Sequence, residues 1–326
     1  MVSPGVPWLS GCSRPEWGEI EIGKKALLFP GQGSQFVGMA KDLYDRFDSV
    51  RETYATAGEI LGFDLANICF EGPEDELRQT RATQPAIFVH SVILSRFLKE
   101  KGWSFDMTAG HSLGEYSALC AANAFTFENG LKLVKVRAEL MQKAGEISPG
   151  TMAAVIGLDA NTLNDICSQA SAAGVVQIAN FNSPSQIVIS GAVAGVEEAM
   201  AVAREKGAKR VVPLVVGGAF HSRLMEFAIA DLGQALDAVE VRSADIPVYS
   251  NVTAQPVTRP DDIKDLLKRQ LTSPVKWVDI IGNMIEDGAT EFYEVGPGSV
   301  LTSLLRRINR AVSGTAINSV EVLESL

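Results

Sequence analysis

Gly110-His111-Ser112-Leu113-Gly114 is a G-x-S-x-G pentapeptide, and its surroundings leave few folds open. Before it runs FDMTA, a short apolar segment with strand character; after it runs EYSALCAANA, a stretch of small helix formers. A serine between two glycines at such a junction predicts a cramped strand-to-helix turn, which lifts the hydroxyl off the end of a sheet. That turn belongs in an α/β architecture, where apolar strands alternate with helices.

The rest of the chain keeps to this pattern. Ala26 to Phe29 is a continuous apolar run ended by Pro30 and Gly31, as expected of a buried strand leading into a loop. A helix is predicted from the spacing of Val37, Met39, Leu43 and Phe47. TQPAIFVHSVILSRFLKEKG reads as a second helix, introduced by Pro85 and stopped at Gly102, and ENGLKLVKVRAELMQKAGE as a third. Near Ser148 the texture changes. TMAAVIGLDA, a helix over 161–173, VVQIANFNSPSQIVISG, a helix over 196–206 and AKRVVPLVV give β-α-β-β-α-β, the pattern of a ferredoxin-like unit. The expected fold is an α/β-hydrolase-like core with a mostly parallel sheet and an inserted ferredoxin-like α+β subdomain. The large subdomain takes residues 23–147 and 218–326, the small one 148–217, and residues 1–22 form a loosely ordered leader.

Charge and composition narrow the function. With 29 basic and 39 acidic side chains the net charge is −10, which argues against nucleic acid or an anionic membrane as partner. No apolar stretch approaches the roughly 18 residues of a membrane span. The N-terminus lacks the basic and apolar segments of a secretory signal, so the cytoplasm is the expected location. Four cysteines occur without a C-x-x-C pair, and no His/Cys cluster has ligand spacing, so neither a disulfide framework nor a metal site is expected.

A serine nucleophile needs a base, and the chain has three histidines. His111 sits beside Ser112 in a tight turn, with its side chain expected to point away. His90 lies within the apolar helix AIFVHSVIL and reads as a core residue. His221 follows Gly217-Gly218-Ala219-Phe220 at the end of an apolar run, where a catalytic loop is expected; by elimination it is the base. An orienting acid is harder to find. Asp159 and Asp165 are the aspartates between Ser112 and His221, both in the proposed insertion, so a dyad held by a neutral carbonyl replaces the usual triad. Arg137 falls near the apolar stripe of its helix, among Leu133, Val134, Leu140 and Met141. A guanidinium there needs a partner: either an internal ion pair or a substrate carboxylate that it clamps.

Taken in order, Phe-Pro-Gly-Gln-Gly-Ser-Gln at 29–35, Gly-His-Ser-Leu-Gly-Glu at 110–115, Arg137, Gly-Ala-Phe-His at 218–221 and Glu-Val-Gly-Pro-Gly at 294–298 form a distinctive set. The chain resembles the malonyl-CoA:acyl carrier protein transacylases of fatty-acid synthesis, and more broadly the acyltransferase domains of polyketide synthases, over about residues 25–315. The resemblance implies ping-pong transfer of malonate from malonyl-CoA, through Ser112, to the phosphopantetheine thiol of an acyl carrier protein, with no permanently bound cofactor. His221 is then the base, and the backbone amides of Gln32 and Leu113 form the oxyanion hole. Arg137 holds the malonate carboxylate, Phe220 crowds an α-methyl group, Asn180 and Asn182 line the site as turn asparagines, and a carbonyl group of Gln270 holds the histidine. A monomer is the family expectation. Lys268, Arg269 and Lys276, or Arg306, Arg307 and Arg310, are candidate docking patches for the acidic carrier. Two other readings are weaker. A serine thioesterase does not require Arg137, and a catalytically idle scaffold would not need Ser112 and His221 intact.

Overall fold

The computed structural model describes residues 23–326, so the expectation for residues 1–22 lies outside the described residues. Ten strands run in chain order: β1 Lys24–Phe29, β2 Met107–Gly110, β3 Gly150–Ile156, β4 Val176–Ser183, β5 Gln186–Ala192, β6 Arg210–Leu214, β7 Val248–Tyr249, β8 Pro256–Val257, β9 Ala289–Val295 and β10 Ser313–Ile317. Six of them form one sheet in the order β10-β9-β1-β2-β7-β8, parallel throughout except for the β7–β8 pair.

β1 explains why that sheet needs helices on both faces. Leu27 and Phe29 pack into a core with Phe88 and Leu119, whereas Ala26 and Leu28 point the other way, against Trp277 and Ile280. A strand apolar on both sides is stable only where neither side meets water. β1 and β2 sit at the centre of this sheet, and the pentapeptide emerges at their C-terminal ends, where α/β sheets open their binding crevice.

Residues 150–214 supply a separate antiparallel sheet, in the order β4-β5-β3-β6, with helices Ala160–Ala170 and Val193–Glu205 in the two crossovers. Its two faces have different duties. Ala153, Val155, Ile187 and Ile189 pack on those helices, while Met152, Ala154 and Val188 turn toward the main core. A further tie joins the two sheets' surroundings: Phe181 N donates to the Val275 carbonyl at 2.9 Å, and Val275 N to that of Ala179 at 2.8 Å.

Several helix limits differ from those read in the sequence. The second helix begins at Thr80 and carries Pro85 inside it, ending at Glu100. A proline in the second turn forfeits one helical hydrogen bond, a modest loss beside a wall of burial that runs unbroken from Ala82 to Ser95. Helix 161–173 is Ala160–Ala170, set by the Asp159 carboxylate that accepts from Thr162 N at 2.9 Å. The helix predicted to begin at Val196 starts at Val193. Val37 to Phe47 is not one helix: Lys41–Arg46 and Asp48–Leu61 are broken at Phe47, whose backbone is extended. Among the described residues, no helix is long and apolar enough to cross a membrane.

His90 is 0% exposed, and neither ring nitrogen has a partner. Burial lowers its pKa from 6.5 to about 4, so the folded state holds it neutral. Below pH 6.5 the unfolded chain takes up a proton that the fold refuses, and stability declines until the folded imidazole also titrates. We expect the wild-type unfolding free energy to fall more steeply than that of His90→Leu between pH 6.5 and 4. The difference is about 1.4 kcal/mol per pH unit. Parallel urea-denaturation series would check it; equal slopes would show that His90 is charged in the fold.

Candidate active site

β2 ends at Gly110, Ser112 takes φ 53°, and helix Gly114–Ala121 begins two residues later. Both glycines are demanded by contact. A Cβ on Gly110 would meet the Gly114 backbone at 1.9 Å, and one on Gly114 would meet the Phe29 carbonyl at 2.0 Å. A positive φ at serine is strained and persists only when neighbours hold it. Asn251 does so: its Oδ1 accepts from Ser112 N at 2.7 Å, and its Nδ2 donates to the Gly110 carbonyl at 2.7 Å.

Ser112 Oγ lies 2.7 Å from His221 Nε2, and His221 Nδ1 lies 2.9 Å from the backbone carbonyl of Gln270. A carbonyl accepts only, so the ring proton sits on Nδ1 and Nε2 is left to accept from the serine. His221 is 3% exposed and also takes positive φ, at 56°. Burial first, and then the positive field of Arg137, lower its pKa to about 3. The imidazole is therefore neutral at physiological pH, with an unprotonated Nε2 facing the serine hydroxyl.

Arg137 is fully buried on helix Phe127–Ile147. Its Nη1 donates to Gln84 Oε1 at 2.8 Å, and its Nη2 to Ser112 Oγ and to Gln270 Oε1, both at 2.9 Å. The Tyr116 ring lies 5.5 Å from the guanidinium carbon. Among the described residues no carboxylate forms a salt bridge with it, so the internal ion pair considered for it is not present. Neutral acceptors leave a buried cation with its charge unmatched, which suits an anionic ligand.

These groups meet in a cavity of ≈ 100 Å³, also lined by Gln32, Leu113, Phe220 and Asn180. Among the described residues, the amides of Gln32 and Leu113 donate to no protein acceptor. Leu113 also precedes the first turn of a helix, where unpaired N–H groups favour negative charge. Gln270 is fully buried and stands behind the cavity wall. One expectation needs correction. Asn180 and Asn182 lie in β4, in extended backbone rather than a turn, and of the two only Asn180 lines the cavity. Asn182 instead bonds to His111 Nε2 at 2.8 Å, and His111 also lines the cavity.

Two residues of the web, Gln84 and Asn251, are not singled out by any sequence pattern above, and Glu115 appears there only as the last residue of the 110–115 motif, without a role. Glu115 leaves a trace, as a carboxylate opening the small, apolar helix EYSALCAANA. Gln84 likewise stands at the head of an apolar run. Asn251 leaves none, because its contacts lie 136 to 141 residues away. Among the described residues no cluster of three His, Cys, Asp or Glu side chains is arranged to hold a metal.

Comparison with known proteins identifies the family. The acyl transferase domain model matches residues 26–323. The malonyl CoA-acyl carrier protein transacylase of Bacillus subtilis is 44% identical over 304 residues, 93% of this chain and 96% of that protein. Its counterpart from Haemophilus influenzae is 43% identical over 299 residues, 91% and 96% of the two chains. The crystal structure of an acyl carrier protein S-malonyltransferase from Vibrio cholerae superposes with a TM-score of 0.89 at 42% identity, covering 93% of this chain and 99% of that one. A malonyl-transacylase in complex with its type II polyketide acyl-carrier protein also gives 0.89, at 39% identity, with 93% and 98% covered. By sequence, fold and extent of match, the chain belongs to the malonyl-CoA:acyl carrier protein transacylase family.

Proposed function

We propose that this chain moves the malonyl group of malonyl-CoA to the phosphopantetheine thiol of an acyl carrier protein, by way of a malonyl ester on Ser112, and so supplies fatty-acid chain elongation. One observation carries the reading: a neutral His221 and a buried Arg137 without an ion pair converge on the same hydroxyl, at 2.7 and 2.9 Å. A hydrolase needs the first contact; only an acidic acyl group needs the second.

In the first half-reaction Ser112 Oγ attacks the thioester carbonyl, and His221 Nε2 takes its proton. The Gln32 and Leu113 amides stabilise the oxyanion. Collapse breaks the carbon–sulfur bond, and His221 returns the proton to the departing CoA thiol. In the second half, the phosphopantetheine thiol gives its proton to His221 and attacks the ester; Ser112 leaves and is reprotonated. The Gln270 carbonyl keeps the imidazole in the right tautomer through both halves. Arg137 pairs with the malonate carboxylate, and Phe220 and Asn180 bound the acyl pocket, with Asn182 acting through His111. Phosphopantetheine enters with the carrier, and the chemistry requires no resident cofactor.

We assign residues 148–217 to the small subdomain and 23–147 with 218–326 to the large one, so that the cavity is closed between Met152 and Asn180 on one side and Ser112 on the other. We take a monomer, the expectation from the family resemblance, as the working unit. Buried free thiols at Cys69, Cys120 and Cys167 fit a reducing compartment such as the cytoplasm. For the carrier, Arg306, Arg307 and Arg310 are exposed and Arg307 donates, among the described residues, only to the neutral Gln186 Oε1 at 3.0 Å, whereas the exposed Arg269 is paired with the Asp265 carboxylate at 3.2 Å, which favours the arginine group 306–310 as the docking patch.

Intact-protein mass spectrometry after brief exposure to malonyl-CoA tests the reading. We expect a malonyl adduct that disappears on adding the reduced carrier protein and is scarce with acetyl-CoA. Steady hydrolysis of malonyl-CoA without an adduct would replace this reading with a thioesterase.

A further inference from the structure

We propose that Glu115 is a positioning residue for acyl transfer, whose buried carboxylate sets the orientation of the Gln270 side-chain amide and through it the placement of Ser112 and Arg137 relative to His221. The inference rests on the acyl-transfer reading and extends it to a residue that never touches the substrate.

Among the described residues, Gln270 is the one in contact with all three reacting groups. Its backbone carbonyl accepts from His221 Nδ1, its Oε1 from Arg137 Nη2, and its Nε2 donates to the Ser112 carbonyl at 3.0 Å. The two ends of a glutamine amide have nearly the same shape, so only its neighbours decide which end faces which way. Here one neighbour is a carboxyl oxygen that accepts and the other a guanidinium that donates. Glu115 Oε2 accepts from Gln270 Nε2 at 2.7 Å, while the guanidinium lies on the Oε1 side. Reversal would turn N–H groups toward the arginine and a carbonyl oxygen toward the carboxylate, losing both charge-assisted bonds at once.

The same carboxylate oxygen reaches the serine by a second route. It accepts from Asn251 N at 3.1 Å, and the Asn251 side chain braces Ser112 N and the Gly110 carbonyl. Glu115 is 1% exposed and opens the helix that follows the elbow, so it lies beneath the strained serine rather than in the cavity. Burial raises its pKa from 4.5 to about 7, against the pull of Gln270, Asn251 and Arg137. A carboxylate is costly at such a site, and a neutral core residue would cost less. The amide between them also has a consequence for Arg137. Glu115 bonds the far end of the amide and not the guanidinium itself, which keeps that fork available to a substrate carboxylate.

Quenched-flow mass spectrometry of the full chain with malonyl-CoA separates positioning from scaffolding, because it yields both the fraction of Ser112 that can be acylated and the rate per acylatable serine. For Glu115→Gln, isosteric but uncharged and with one acceptor lost, we expect the rate per site to fall ~10–100-fold, the range associated with small misalignments of reacting groups. Transfer to the carrier protein should fall by a similar factor, since both halves use the same dyad, and Glu115→Asp should recover part of the rate. A purely structural role would lower the acylatable fraction and the melting temperature but leave the rate per site within twofold of wild type; that result overturns the inference. Should Glu115→Gln not fold, Glu115→Asp decides: a rate at least threefold below wild type supports the inference, and a wild-type rate refutes it. Wild-type enzyme that forms no malonyl-serine would instead refute the acyl-transfer reading.

Discussion

Ser112→Ala is expected to abolish the malonyl adduct and to lower transfer to the carrier protein by about four to six orders of magnitude, the usual scale for removing a nucleophile from a working dyad. The size follows from the geometry. One hydroxyl receives both the 2.7 Å contact from His221 and the 2.9 Å contact from Arg137, and it projects from a backbone held at positive φ. Among the residues lining the cavity no other hydroxyl or thiol is present to substitute. The fold should be unaffected, because Asn251 holds the backbone of the elbow rather than the hydroxyl. Mass spectrometry and carrier-transfer assays on the variant check this directly. A persistent adduct on Ser112→Ala would move the nucleophile elsewhere in the chain.

Arg137→Ala should convert a malonyl-selective site into an indifferent one. In the free enzyme the guanidinium is fully buried, contacts only neutral acceptors, and leaves its Nε without a partner. Binding an acyl group with a free carboxylate completes the pair; binding acetyl does not. Separating a buried charge from its partner costs about 3–5 kcal/mol. At about 1.4 kcal/mol per decade, that predicts a loss of roughly two to three-and-a-half decades in kcat/KM for malonyl-CoA. Acetyl-CoA should lose far less, so the ratio between the two substrates collapses. Arg137→Lys, which keeps the charge but not the planar fork, should fall between. A parallel decline for both substrates would show instead that Arg137 only supports the wall through Gln84 and Gln270.

The local parts of this site are legible in the amino-acid sequence. Gly110 and Gly114 announce the elbow, because backbone atoms that approach within about 2 Å of a would-be Cβ tolerate nothing larger. His221 stands out because the chain has only three histidines, and His90 sits in a run too apolar for a base. Arg137 is conspicuous as a charge on an apolar stripe. The antiparallel unit is visible as a change from βα alternation to β-α-β-β-α-β. Features that depend on distant packing are not legible in this way. Pro85 has the sequence character of a helix start, yet burial carries the helix back to Thr80, and the asparagines of NFNSP have the character of a turn, yet β4 continues through them.

The sequence alone determined most of the elements of this protein, though not all their limits, and nominated the candidate reactive groups, since periodicity, glycine placement and residue chemistry act over a few neighbouring positions. Tertiary structure alone decided how those groups are held. The bonds from Gln270 to Arg137, Ser112 and Glu115 join residues 133 to 158 positions apart, and that from Gln270 to His221 joins residues 49 apart. No local propensity encodes such a bond. Its partners meet because the helix that ends at Gln270 packs behind the sheet's crevice, where a buried polar group must find a mate among whatever the fold brings within reach.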